Sequence, residues 1–191
     1  DCISVGNNFT VYLKGDGTVW ASGRNTDSQL GDGTTTNRRN PVQMLDGFGN
    51  PLTGVVGISA GNNYTFYLNG NGTVWGLGNN SIGQLGDGTR TDRTPPVRVL
   101  KSLGGNLTNI KDINSGSKHT LFLTNDGLVW SVGQNDYGQL GDGTNLNRLN
   151  PVLVSDVNGT PLKGVIAIST LGSHSLFLTQ NGRVWAVGKN T

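Results

Sequence analysis

Residues 119–144 read HTLFLTNDGLVWSVGQNDYGQLGDGT, and this stretch decides the fold. It contains two short apolar segments on either side of Asp126-Gly127. An Asp-Gly or Asn-Gly pair between apolar segments is a strong signal for a β-hairpin, because both residues can adopt positive φ. The stretch therefore predicts two antiparallel strands joined by a tight turn, and the same turn recurs at Asp16-Gly17, Asn71-Gly72 and Asn181-Gly182.

The hairpin is part of a repeat of fixed length. A Gln-Leu-Gly-Asp-Gly-Thr segment follows it at residues 29–34, 84–89 and 139–144, and a proline follows in phase. Self-similarity at one period indicates a repeat architecture. We therefore divide residues 1–191 into repeats of about 1–55, 56–110 and 111–165 and a partial fourth of 166–191. The period is marked by Trp20, Trp75, Trp130 and Trp185.

Each repeat has room for about four short strands. A strand beginning near Val55 precedes the hairpin of the second repeat, and one beginning at Pro41 suits a sheet edge, where a missing N–H is tolerated. Apolar residues occur on both faces of these strands, as Leu121 and Phe122 illustrate. A sheet with one wet face would alternate apolar and polar residues. The pattern therefore predicts sheets that are covered on both sides by neighbouring sheets.

The string HTLFLTNDGLVW followed by Gly133-Gln134-Asn135 and Gly138-Gln139-Leu140-Gly141 resembles the repeat of the regulator of chromosome condensation family. The resemblance implies an all-β fold, a seven-bladed β-propeller with four-stranded blades. Seven blades of this length would need about 385 residues. The chain would then supply three full repeats plus a partial fourth, about half of the ring. The Gly-Asp-Gly-Thr form resembles bacterial members, which implies a secreted or cell-surface protein.

Half a ring leaves sheet faces uncovered at both ends. Three arrangements are open: a piece of a longer polypeptide, a pair with a second copy, or an open array. Uncovered apolar faces and strand edges favour self-association through the exposed blade ends.

Composition excludes several classes of protein. The 191 residues include 31 glycines, only 14% charged residues and a net charge of +2, which argues against a nucleic-acid partner. No apolar run approaches the roughly 20 residues of a membrane-spanning helix, and no signal peptide is recognisable in this segment. One cysteine, Cys2, and two histidines cannot provide the usual zinc spacings. We expect no metal and no cofactor.

The repeated charged residues are interpreted as structural. Asp32, Asp87 and Asp142 recur inside the Gly-Asp-Gly-Thr segment, where aspartate typically accepts backbone N–H groups in a turn. A carboxylate ring for calcium or catalysis is the alternative, but the spacing of a calcium loop is missing. Arg38, Arg93 and Arg148 lie six residues later and are predicted to clamp the loops through charge-assisted hydrogen bonds. A ring of free, unpaired arginines that binds phosphate or nucleic acid is the alternative.

The two histidines are the candidates for a catalytic acid or base. His119 and His174 share their phase with Phe9 and Tyr64. A repeat position that accepts Phe, Tyr or His suits a ring that packs against its neighbours, with a polar atom at the end of the ring in Tyr and His. We therefore predict no catalytic residue and a protein that is not an enzyme.

Partner binding is expected where the repeats differ, because repeated positions build the blade and unrepeated loop positions can contact a partner. The candidate partner-binding residues lie after the tryptophan strand and are Arg24, Asp27, Ile82, Arg90, Tyr137, Leu146 and Lys189. The candidate core comprises the four tryptophans together with Leu30, Leu85 and Leu140.

These observations favour a non-enzymatic protein-interaction scaffold with a protein partner, as part of a larger secreted or surface protein. The first alternative is a regulator of another protein, by guanine nucleotide exchange or by β-lactamase inhibition, as the family resemblance implies. The second alternative is a carbohydrate-active or carbohydrate-binding propeller.

Overall fold

The computed structural model describes residues 1–102 and 104–190, and its regular elements in these ranges are fifteen β-strands. They form four antiparallel sheets, three with four strands and the last with three. The first sheet contains β1 (Cys2–Val5), β2 (Phe9–Leu13), β3 (Val19–Gly23) and β4 (Arg38–Gln43). The second contains β5 (Val55–Ala60), β6 (Tyr64–Asn69), β7 (Val74–Gly78) and β8 (Arg93–Arg98). The third contains β9 (Ile110–Ser115), β10 (His119–Thr124), β11 (Val129–Gly133) and β12 (Arg148–Leu153), and the fourth contains β13 (Val165–Leu171), β14 (His174–Thr179) and β15 (Val184–Gly188).

The predicted hairpin forms the two central strands of the three four-stranded sheets and the last two strands of the fourth sheet. Phe122 lies opposite Trp130 in the pair of β10 and β11, and Tyr67 and Trp75 are paired in the same way. Gly127 has a φ of 77°, which supplies the left-handed conformation that the tight turn requires. The strands run in sequence order across each sheet, so the chain folds as a meander.

The sheets stack face to face in chain order. Three clusters of buried apolar residues fill the spaces between successive sheets, the first joining Val11 and Val19 to Val55 and Leu77. Aromatic rings add to the second cluster, where Phe66 and Phe122 meet edge to face with centroids 5.4 Å apart. The prediction of sheets covered on both faces is therefore confirmed for the two central sheets.

Hydrogen bonds join the first strand of each sheet to the next first strand. The backbone N–H of Ala60 donates to Ser4 Oγ at 2.9 Å, and that of Ser115 donates to Ser59 Oγ at 2.9 Å. Thr170 N–H donates to Asn114 Oδ1 at 2.8 Å in the third interface. All three bonds span 56 residues. The first strands are therefore the inner strands of a fan of blades, which is a partial β-propeller.

The prediction for the tryptophans needs correction. Leu30, Leu85 and Leu140 are fully buried, but the four tryptophans are only half-buried. Trp75 and Trp130 pack against the apolar cluster between their own sheet and the preceding one, each from the strand next to the outer edge. Trp185 packs in the same way from β15, the edge strand of the fourth sheet. Cations lie over three of the four rings: Lys14 lies over Trp20, Arg98 over Trp75, and Lys101 over Trp130, at 5.0–5.6 Å from the ring centroids.

No helix in the described ranges is long and apolar enough to cross a membrane.

Candidate protein-interaction rim

Because the strand directions alternate, the loops between the third and fourth strands lie at the same end of the blades as the turns between the first and second strands. We call this end the upper rim and define it by the loops at residues 24–37, 79–92 and 134–147. These loops are hydrogen-bonded to the turns between the first and second strands of their own sheets. Arg24 N–H donates to Asn8 O at 2.8 Å, and Gln134 N–H donates to Lys118 O at 2.9 Å. The opposite end, the lower rim, carries the hairpin turns and the connectors such as residues 44–54.

Each upper-rim loop is organised around one buried asparagine. Asn80 is fully buried, and its Oδ1 accepts the N–H of Leu85 at 2.9 Å. Its Nδ2 donates to Asp87 Oδ1 at 3.0 Å and to Thr89 O at 3.2 Å. Asn25 and Asn135 make the same contacts. Sequence reasoning missed this role, although asparagine recurs every 55 residues at positions 25, 80, 135 and 190.

The predicted Asp–Arg clamp is confirmed in all three loops. The Nε atom of the arginine lies 2.6 Å from Asp32 Oδ2 in the first loop, 2.8 Å from Asp87 Oδ2 in the second and 2.7 Å from Asp142 Oδ2 in the third. Burial opposes the charged form of Asp32, but hydrogen bonds from Thr34 and Arg38 outweigh it and hold the pKa of Asp32 below its usual value. These arginines are therefore paired within their own loops, and the alternative of an unpaired basic ring is wrong for them.

Two candidate partner-binding residues contact each other and the neighbouring blade. Arg24 Nη2 lies 3.5 Å from Asp27 Oδ2. Asp27 Oδ1 also accepts a hydrogen bond from Asn79 Nδ2 of the second blade at 3.3 Å. Lys189 makes the corresponding contact further along the fan, with its Nζ 5.4 Å from the centroid of Tyr137. These positions therefore connect adjacent loops as well as facing solvent.

The remaining candidates differ in exposure. Tyr137 is 50% exposed and Leu146 is 63% exposed, and both belong to the third loop. Arg90 is exposed on the second loop, and Ile82 is half-buried there. The structure thus places six of the seven predicted residues in the upper-rim loops, and Lys189 at the corresponding position directly after β15. Arg90, Tyr137, Leu146 and Lys189 are exposed, whereas Arg24, Asp27 and Ile82 are half-buried.

Buried polar side chains connect adjacent blades. His119 is fully buried, and its Nε2 contacts Ser175 Oγ of the next blade. Tyr64, in the same phase, donates its hydroxyl hydrogen to carbonyl oxygens of Gly116 and His119. Within the described ranges, no group of three or more His, Cys, Asp or Glu side chains is placed to hold a metal ion.

Stacked four-stranded meanders with their first strands innermost define the class of β-propeller repeat proteins. The chain belongs to the family described as "Regulator of chromosome condensation (RCC1) repeat", which matches residues 16–68, 71–123 and 126–178. A second family of the same description matches residues 1–29 and 110–139. The matched units begin near the hairpin turn, so our division at about 1–55, 56–110 and 111–165 remains a prediction.

The proteins to which this chain is similar are named for different activities. The chain is 29% identical over 189 residues to the ultraviolet-B receptor UVR8 of Arabidopsis thaliana, covering 99% of this chain and 41% of that protein. It is 33% identical to human HERC4, a probable E3 ubiquitin-protein ligase, covering 97% of this chain but only 17% of that protein. The solved structure of Prp20p from Saccharomyces cerevisiae matches with a TM-score of 0.79 and 25% identity, covering 98% of this chain and 44% of that one. The chain thus spans less than half the length of these relatives.

Proposed function

We propose that this chain is a non-enzymatic protein-interaction module whose partner binds the upper rim. The observation that carries the proposal is the contrast within each loop. The Asn, Asp and Arg residues that fix the loop are the same in all three upper-rim loops, whereas exposed positions such as those of Tyr137 and Leu146 differ between them.

The hydrogen bonds that hold each upper-rim loop in place favour the binding of a partner. Association costs free energy when loops must be ordered on binding, and that cost is smaller when the loop is already held by internal hydrogen bonds. Asn135 and Asp142 hold the third loop in this way. Tyrosine and arginine are the residue types that most often anchor interfaces, so Tyr137 and Arg90 are the proposed anchors.

The relatives support a protein partner and add a second candidate function, the regulation of that partner. The study of Prp20p reports its binding properties to Gsp1p and histones. By analogy, the partner of this chain would be regulated while held on the upper rim. A secreted or surface location and a bacterial source are also parts of the proposal, and they rest on the form of the Gly-Asp-Gly-Thr loops alone.

A capture experiment with matched variants tests the main proposal. The immobilised chain, a Tyr137→Ala/Leu146→Ala variant and a Phe48→Ala/Val157→Ala control are exposed to lysate and culture medium of the source organism, and bound proteins are quantified by mass spectrometry. Phe48 and Val157 are 92% and 89% exposed on the lower rim, so the control removes similar apolar area elsewhere.

The expected result is a protein that is retained by the chain and by the control but lost from the upper-rim variant. Equal retention by all three would overturn the role of the upper rim. A guanine-nucleotide release assay on a captured GTPase, with and without the chain, tests the second candidate function.

A further inference from the structure

A chain of hydrogen bonds connects a buried histidine to the third upper-rim loop. The Nε2 atom of His119 lies 2.9 Å from Ser175 Oγ, and Ser175 donates its hydroxyl hydrogen to the backbone oxygen of Gln139 at 2.8 Å. The side chain of the same glutamine accepts Tyr137 N–H through its Oε1 atom at 2.9 Å. His119, Ser175 and Gln139 are fully buried. Tyr137, a proposed anchor, is therefore linked through Gln139 to a titratable group that is shielded from solvent.

The first upper-rim loop has the same hydrogen bonds without the histidine. Thr65 donates its hydroxyl hydrogen to Gln29 O at 2.7 Å, and Gln29 Oε1 accepts Asp27 N–H at 2.9 Å. The bond from Thr65 spans 36 residues, as does its counterpart in the third loop. Phe9 occupies the repeat position of His119. The chain thus contains a copy of this loop that cannot respond to protonation at that position.

The packing around His119 leaves its second nitrogen without an acceptor. Because Ser175 accepts the hydrogen of Nε2, a further proton would bind to Nδ1. In the described part of the chain Nδ1 has no hydrogen-bond partner, and an added Cβ on Gly116 would lie 2.9 Å from it. Tyr64 on β6 donates its hydroxyl hydrogen to backbone oxygens of Gly116 and His119. Burial raises the pKa of Tyr64, so this hydroxyl group stays neutral and supplies no charge.

No carboxylate compensates a positive charge on the ring. The four ion pairs in the described part of the chain all join Asp to Arg, and the third loop contributes Asp142 paired with Arg148. Lys118, in the adjoining turn, is exposed. Burial, with a smaller contribution from the charge of His174 on β14, lowers the pKa of His119 to about 4. Above that pH the ring takes up a proton from solvent only when the contact between the third and fourth blades opens locally.

We propose that protonation of His119 in mild acid separates the upper ends of the third and fourth blades and frees the third upper-rim loop, which weakens partner binding through Tyr137 and Leu146. The hydrogen on Nδ1 needs an acceptor, so water enters between the blades. Its entry separates Ser175 from the ring and from Gln139 O, and the loop loses this bond to the fourth blade. A loop that is no longer held must be ordered on binding, which lowers affinity. The effect on the partner rests on the proposed function, whereas the response of the loop does not.

Amide hydrogen exchange followed by NMR tests the response of the loop without any partner. The protection factor of Tyr137 N–H, which corrects for the pH dependence of intrinsic exchange, is measured at pH 7 and pH 5. With a pKa of about 4 in the folded chain and about 6.5 after opening, protection should fall about twentyfold. The amides of Asp27 and Ile82 also donate to a loop glutamine and are internal controls that should keep their protection.

Variants that copy other blades separate the steps of the proposal. His119→Phe, which copies Phe9, should abolish the fall in Tyr137 protection. Ser175→Thr, which copies Thr65, keeps the hydroxyl group and should preserve the fall. Ser175→Ala removes the link, so Tyr137 protection should be low at both pH values while the first loop stays protected.

Two results of the exchange experiment would overturn the inference. One is unchanged Tyr137 protection at pH 5, and the other is an equal loss in all three loops, which would indicate global unfolding. Persistence of the fall in the His119→Phe variant would also overturn it, because the response would then come from another group.

The capture experiment, repeated at pH 7 and pH 5, tests the effect on the partner. The unchanged chain should retain less partner at pH 5, whereas His119→Phe should retain equal amounts at both pH values. Retention by the unchanged chain that does not fall would overturn the effect on the partner. Loss of loop protection, combined with capture that Tyr137→Ala/Leu146→Ala leaves unchanged at pH 7, would support the loop response and overturn the proposed function alone.

Discussion

The Nε2 atom of His119 lies 2.9 Å from the Oγ atom of Ser175, and this contact joins the third blade to the fourth. Ser175 donates its hydroxyl hydrogen to Gln139 O at 2.8 Å, so its oxygen accepts the hydrogen of Nε2. Nδ1 is then the unprotonated nitrogen, and it has no hydrogen-bond partner among residues 1–102 and 104–190. Burial, with a smaller contribution from the charge of His174, lowers the pKa of His119 to about 4.

This pKa predicts that the chain loses stability in mild acid. Between the ordinary histidine pKa of about 6.5 and the folded value, the unfolded chain binds more protons than the folded chain. The free energy of unfolding should therefore fall as the pH is lowered from about 6.5 to about 4. Urea unfolding at pH 7, 6, 5 and 4 measures this slope. The His119→Tyr variant, which copies the residue in the phase of Tyr64, should flatten it, and an unchanged slope would contradict the assignment.

The Asp–Arg clamps predict a second loss of stability at lower pH. Burial raises the pKa of Asp87, but hydrogen bonds from Thr89 and Arg93 lower it by more. The pKa of Asp87 is therefore below its ordinary value. A depressed carboxyl pKa stabilises the fold above the unfolded value of about 3.9, and this contribution is lost as the pH falls through the folded value. Asp87→Asn should therefore lower stability at pH 7 and reduce the further loss below about pH 4. Thermal unfolding at pH 7 and pH 3 separates this effect from that of His119.

The buried loop asparagine should be among the most sensitive polar positions. Asn80→Ala removes the acceptor of Leu85 N–H and a donor to Asp87, leaving buried polar groups without partners. Each such group costs about 1–3 kcal/mol, so we expect the free energy of unfolding to fall by about 2–4 kcal/mol. Asn158→Ala on an exposed connector is the matched control and should cost less than about 0.5 kcal/mol. Similar losses for the two variants in urea unfolding would disprove the central role of Asn80.

A pair of aromatic truncations measures the stacking of the blades. Phe122 is fully buried between two sheets, whereas Tyr12, at the same repeat position in the first sheet, is half-buried. Phe122→Ala should lower the free energy of unfolding by about 3–5 kcal/mol because it removes a large buried ring. Tyr12→Ala should cost less than half as much, because the Tyr12 ring is only half-buried. Equal costs would show that burial between blades is not the main source of stability.

The sequence predicted the elements that depend on neighbours within one repeat. Asp126-Gly127 predicted the hairpin, and the six-residue spacing of Asp32 and Arg38 predicted the clamp, because both are local contacts. The burial of Trp130 was predicted less well, because it depends on how far the ring lies from the axis and on Lys101, which covers it from outside. The role of Asn80 could have been inferred from its recurrence but was overlooked.

The candidate rim residues show a different limit of prediction. Their location on loops at one end follows from strand alternation and could be inferred from the sequence. The hydrogen bond from Asn79 to Asp27 joins residues 52 positions apart in different blades. Such a contact depends on the stacking angle of the blades, which no local pattern of residues reports.

The constant 56-residue span of the bonds from Ala60 to Ser4 and from Ser115 to Ser59 has an evolutionary consequence. A gene duplication or excision of one whole 55-residue period reconnects equivalent partners across every seam, whereas an insertion of another length within a strand shifts the donors away from their acceptors. Chains built in this way can lengthen or shorten by complete units, with each new unit inheriting a ready-made site of attachment on both sides.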